Sequence, residues 1–179
     1  LFVRGPSVMS GYFGDLKSTR EVLSPDGWLN TGDLAYRVGN GIVITGREKD
    51  LIIINGRNVW PQDLEYLAEH QPEVRTGDAS AFSVPGQNGE EQAVMMVQCR
   101  ESDEDKRADL QERLHSRVRQ EYGIDCLIEL VPRNTLPRTT SGKLSRSGAR
   151  KEYLKRVAAE QLDIPPGDPY AATLRQRAV

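Results

Sequence analysis

Pro137-Arg138-Thr139-Thr140-Ser141-Gly142-Lys143 is short, polar and glycine-bearing, and it ends on one lysine. It lies between an apolar run, Leu127-Ile128-Glu129-Leu130-Val131, and a basic, helix-forming stretch over residues 146–156. Pro137 stiffens the entry and Gly142 frees the backbone. Thr139, Thr140 and Ser141 supply hydroxyls and successive N–H groups. A loop of this kind can present a cation to an anionic ligand, and it can equally be a plain strand-to-helix connection. It is not a Walker A loop, because Leu144 follows the lysine where that motif needs Ser or Thr, and the spaced glycine is absent.

Working outward, the preceding chain alternates strands and helices. Residues 1–5 read as a strand, and residues 18–23 as a short helix ended by the turn Ser24-Pro25-Asp26-Gly27. Gly39-Asn40-Gly41 between two apolar runs reads as a β-hairpin turn, with Asp33 just before the first hairpin strand. Gly46-Arg47-Glu48-Lys49-Asp50 is a charged break between β runs. A second hairpin-like turn fits Gly56-Arg57-Asn58, and Pro61 suits the first position of a helix whose buried stripe is Leu64, Leu67 and Ala68 and which should end near Gln71-Pro72. Residues 79–84 and 93–99 read as strands. Ser102 and Asp105 have the spacing of a capping box. Leu110, Leu114, Val118 and Tyr122 mark a long helix closed by Gly123, and residues 124–131 form the last strand. A final helix, capped by Ser145 or Ser147, carries Ala149, Tyr153, Leu154 and Val157. Strands interleaved with long helices predict an α+β fold, a small mixed β-sheet flanked by helices.

The chain has 179 residues, of which 28% are charged, with a formal net charge of −2 at pH 7. That balance favours neither nucleic acid nor a membrane surface as partner. The longest apolar run, residues 51–54, falls far short of the roughly eighteen residues of a membrane span. Two cysteines, Cys99 and Cys126, fit a reduced cytoplasmic protein with buried thiols better than a disulfide scaffold. His70 and His115 lack companion ligands, so no metal site is expected. The start in mid-strand, without Met, reads as a chain cut from something longer.

Thr31-Gly32-Asp33, Gly46-Arg47-Glu48-Lys49-Asp50-Leu51-Ile52 and the 137–143 loop resemble three ordered motifs of the adenylate-forming enzymes, the superfamily of acyl-CoA synthetases, peptide-synthetase adenylation domains and luciferases. Leu1-Phe2-Val3-Arg4-Gly5-Pro6-Ser7-Val8-Met9-Ser10-Gly11-Tyr12 resembles a fourth. The tract from Asp50 through Gly56-Arg57-Asn58-Val59-Trp60-Pro61-Gln62-Asp63 to Glu65 is most similar to fatty acyl-AMP ligases.

The resemblance implies an organisation and a chemistry. Residues 1–48 would be the end of a large adenylating domain, 49–157 a mobile C-terminal lid, and 158–179 a tail or linker. The whole enzyme would use ATP and Mg²⁺, the latter bound mainly by the large domain, to convert a fatty acid to acyl-adenylate and pyrophosphate. The acyl group would then pass to the phosphopantetheine of an acyl carrier protein. Asp33 and Arg47 would bind the nucleotide's ribose, suiting a two-oxygen carboxylate and a rigid guanidinium fork. Lys143 would be catalytic, neutralising the carboxylate and α-phosphate as they react. Lys49 would be the hinge, and Gly56 would lie by the pantetheine channel. This fragment alone is expected to be inactive. Two other readings stand: a long-chain fatty-acid–CoA ligase using free CoA, and a non-enzymatic lid-like binding module.

Overall fold

The computed structural model describes residues 1–86 and 89–162; residues 87–88 and 163–179, the latter most of the tail or linker expected over 158–179, lie outside the described residues. The chain divides into two compact units, residues 1–49 and 50–179, with the division after Lys49.

The first unit holds a short pair, β1 (Phe2–Val3) with β2 (Leu29–Asn30), and the helix α1 (Leu16–Val22) between them. The opening strand is shorter than expected. The helix begins earlier than expected because Asp15 caps it, its carboxylate accepting from the Ser18 N–H at 2.9 Å. The antiparallel hairpin of β3 (Asp33–Val38) and β4 (Gly41–Arg47) pairs Val38 with Gly41, so the turn is Gly39-Asn40 alone. Asp33 is the first residue of β3 rather than the residue before it, and Gly46 and Arg47 still belong to β4. The charged break is therefore narrower than the sequence suggests: a single 3₁₀ turn, Glu48–Asp50.

The second unit opens with a hairpin, β5 (Ile52–Ile54) and β6 (Arg57–Val59), around Asn55-Gly56. Both turn residues have positive φ, 51° and 73°, the geometry that two-residue hairpins select and that Asn-Gly tolerates best. Then follow α2 (Pro61–Glu69), β7 (Ala79–Pro85), β8 (Glu91–Gln98), α3 (Glu104–Tyr122), β9 (Cys126–Val131) and α4 (Arg146–Leu162). The sheet order is β7-β8-β9, antiparallel then parallel, the mixed sheet expected. α2 stops at Glu69, about a turn before Pro72. The cap of α3 is Asp103, not Ser102: its carboxylate accepts from Lys106 N–H at 3.1 Å. The capping-box spacing pointed one residue too early. α4 starts under Ser145, whose Oγ accepts from Gly148 N–H at 3.1 Å, and it continues helically through residues 158–162.

Strand alternation divides the core in two. Ala79, Ala81, Met95, Val97, Cys126 and Ile128 face Leu64 and Leu67 of α2 and Leu110, Leu114 and Val118 of α3, with Ile52, Ile54 and Val59 of the hairpin joining them. Phe82, Val84, Val94, Met96 and Val131 face the other way, onto Ala149 and Tyr153 of α4. Each Val, Leu, Ile, Phe or Met side chain removed from water contributes about 1.5–3 kcal/mol, and the sheet is covered on both faces. Cys99 and Cys126 are both free and buried, and burial pushes the Cys126 thiol up to about 12, which makes it inert.

Candidate functional site

Asp33 and Arg47 sit directly opposite each other on β3 and β4. Hairpin register alone brings them together: Arg47 Nε donates to Asp33 Oδ1 at 3.1 Å, and Arg47 Nη2 donates to the Thr31 carbonyl at 3.2 Å. The pair lies at the surface, with side chains 27% and 51% exposed, so it contributes little to stability. The guanidinium fixes Asp33 Oδ1, and Oδ2 has no hydrogen-bond or ion-pair partner among the described residues. Next to it, a cleft of ≈ 380 Å³ is lined by Tyr12, Thr31, Gly32, Arg47, Glu48 and Lys49. Lys49 is exposed, in the 3₁₀ turn, with Glu48 N–H bonded to the Gly32 carbonyl at 3.0 Å.

Lys143 belongs to the second unit. The 137–143 stretch is a small closed hairpin rather than an open loop. Thr139 N–H donates to the Lys143 carbonyl and Gly142 N–H to the Thr139 carbonyl, both at 2.8 Å, with Arg138 bridged to Leu144. Gly142 has φ +81°, which explains the glycine. One of the N–H groups expected to face a ligand, that of Thr139, is thus consumed inside the turn. Lys143 is exposed at its end, and its Nζ makes no hydrogen bond or ion pair among the described residues. A cation held out this way, on a backbone fixed by its own hydrogen bonds, can reach an anion with little rearrangement.

Gly56 is exposed too, at the tip of its hairpin, and a Cβ there would meet nothing within 4 Å. Its positive φ explains the glycine locally. Gly56 and Lys143 lie in one unit, and Asp33, Arg47 and Lys49 in the other.

Arg146, three residues beyond Lys143, was not singled out by sequence. Its Nε and Nη2 grip the two oxygens of Glu65 at 2.8 and 2.7 Å, and Nη1 reaches Asp50 Oδ2 at 3.4 Å. Hydrogen bonding to Glu65 holds its guanidinium more firmly charged than usual, against the opposing effect of burial. Glu65 Oε1 also accepts from Ala81 N–H at 3.1 Å. The partners are 81 and 96 positions apart in the chain, so no local pattern could have exposed them.

No family model matches the chain. Individual proteins do. It is 48% identical over 155 residues, 86% of its length, to a Caulobacter vibrioides protein assigned by name to the acyl-CoA synthetases. A solved structure from work on fatty acyl-adenylate ligases of E. coli and L. pneumophila is also 48% identical and superposes with a TM-score of 0.77 over 89% of the chain. This chain belongs to the adenylate-forming enzymes. A medium-chain-fatty-acid–[acyl-carrier-protein] ligase of Moorena producens is 33% identical over 87% of the chain. The chain spans only 27% of the Caulobacter relative, 28% of the Moorena relative and 28% of the solved ligase, in each case the C-terminal part. The α+β fold read from the sequence is the fold of this part of the superfamily. Among the described residues no helix is long and apolar enough to cross a membrane.

Proposed function

We propose that this chain is the lid-bearing part of a fatty acyl-AMP ligase, which activates a fatty acid with ATP and transfers the acyl group to the phosphopantetheine of an acyl carrier protein. The observation that carries this reading is the 48% identity to the fatty acyl-adenylate ligase structure, joined to an exposed lysine at the end of a closed turn. In this reading the whole protein contains a large domain, of which residues 1–48 are the end, and residues 49–157 form the lid.

The fatty carboxylate attacks the α-phosphorus of ATP, an acyl–phosphate bond forms, and pyrophosphate leaves. Two anions must meet, so the chief need is positive charge placed where negative charge concentrates. Lys143 supplies it. Asp33, with Oδ2 open, accepts from the ribose hydroxyls, and Arg47 orients Asp33 and donates to the same sugar. Mg²⁺ would be held mainly by the large domain together with the nucleotide's phosphates; the described residues hold no group of three or more His, Cys, Asp or Glu placed to bind a metal. Lys49, exposed at the division between the units, is the hinge about which the lid turns after adenylation. The Gly56 turn, open on its outer side, then borders the pantetheine arm.

Asp33→Ala removes charged hydrogen bonds to the ribose, each worth about 1.5–3 kcal/mol. Steady-state kinetics of the full-length protein should then show KM for ATP raised roughly tenfold or more, with the fatty-acid KM little changed. An unaltered ATP KM would remove Asp33 from the nucleotide site.

The Caulobacter relative's name favours a second reading, a fatty-acid–CoA ligase. Offering the full-length protein free CoA and phosphopantetheinylated carrier protein side by side separates the two. Our reading expects acyl-carrier product and little acyl-CoA; efficient acyl-CoA formation supports the alternative.

A further inference from the structure

Lys143 stands at the far end of a connection that leaves β9 after Val131 and does not enter α4 until Arg146. A free connection of that length would spread its tip over many positions. Misplacing a reacting group by about 1 Å can cost about a hundredfold in rate. Something must therefore fix the connection where it departs from the core.

The structure assigns that task to a buried side chain outside every motif. We propose that Gln98 and Asp78 are positioning residues for Lys143. Gln98, the last residue of β8, is only 6% exposed. Its Oε1 accepts from Leu136 N–H at 3.0 Å, one residue before the 137–143 stretch, and Leu136 itself is buried. Its Nε2 donates to Asp78 Oδ1 at 2.6 Å. The backbones agree, since Gln98 N–H donates to the Asp78 carbonyl at 2.8 Å and extends the β7–β8 ladder by one step. Asp78 passes the restraint on: its Oδ1 lies 3.7 Å from Arg138 Nη2. Arg138 Nη2 donates to the Gly77 carbonyl at 2.7 Å and Nη1 to the Gly142 carbonyl at 3.0 Å.

So the turn is held at both ends of its entry strand. Gln98 fixes Leu136, and Arg138, steadied by Asp78 and Gly77, fixes the carbonyl beside Lys143. An amide suits the central place because it must accept from a backbone N–H and donate to a carboxylate at once. Glutamate in that position would set two carboxylates against each other. A methionine would fill the space but leave the buried Leu136 N–H unpaired. Neither residue touches the substrate; both act through Lys143, so the inference rests on the proposed role of that lysine.

The experiment measures adenylation by the full-length protein with Gln98→Met, alone and on a Lys143→Ala background. Alone, Gln98→Met should lower kcat about tenfold, with the KM for ATP and fatty acid within about twofold of normal. On the Lys143→Ala background it should cause no further loss, because the group it positions is gone. Gln98→Glu should be impaired, and adding Asp78→Asn should rescue it, since the donor and acceptor are then exchanged in place. Equal losses from Gln98→Met on both backgrounds would show a general structural role and overturn the proposal, as would no loss on the wild-type background. If Lys143→Ala alone keeps normal adenylation, the role of Lys143 falls and this inference with it, and that single variant reveals it.

Discussion

Lys143→Ala in the full-length protein should lower fatty-acid adenylation by roughly a hundredfold or more, the scale of losing one preorganised charge-stabilising donor. The structure explains why the effect should be so concentrated. The lysine is exposed, its ammonium makes no hydrogen bond or ion pair among the described residues, and its turn closes on backbone hydrogen bonds that do not involve the side chain. Truncation therefore removes a charge and leaves the fold intact. Thermal unfolding should be unchanged while the rate collapses. Transfer from preformed acyl-adenylate to the carrier should survive, because in this account the lysine acts only in the first step. Near-normal adenylation by the variant would remove Lys143 from catalysis.

Arg146→Ala should do the opposite, destabilising the second unit by about 2–3 kcal/mol, between the values for surface and fully buried ion pairs. The side chains are 28% exposed for Arg146, 13% for Glu65 and 23% for Asp50, so the intermediate value applies. Without the guanidinium, Glu65 and Asp50 become neighbouring carboxylates with nothing between them. Urea unfolding of the 179-residue chain measures the loss. Arg146→Lys should recover only part of it, since an ammonium cannot hold both oxygens of Glu65 and reach Asp50. A change below about 0.5 kcal/mol, the scatter of ordinary surface substitutions, would mean the triad does not hold α4 to α2.

The elements with strong local signals were legible in the chain itself. Leu110, Leu114 and Val118 announce α3 by their spacing, Gly123 closes it at φ +64°, and Pro61 opens α2. Boundaries were blurred where adjacent residues can both cap a helix, so that the spacing of Ser102 and Asp105 drew attention away from Asp103, and where a short strand needs a neighbour to define it, as at residues 1–5. Asp33, Arg47 and Lys143 stood out because the runs that hold them resemble ordered motifs of the adenylate-forming enzymes; from the residues alone each run also reads as a plain turn or loop. Gln98, Asp78 and Arg146 did not. A glutamine at the end of an apolar strand looks like a surface residue until the loop from Leu136 is folded over it. Long-range polar contacts of this kind leave no periodicity to detect, and only the assembled sheet brings them together.

Fatty-acid-dependent exchange of labelled pyrophosphate into ATP tests the central claim most directly. The full-length protein should catalyse it only when a fatty acid is present, and the 179-residue chain alone should not. Exchange by the isolated chain, or none by the full-length protein across a range of fatty-acid lengths, would contradict the assignment.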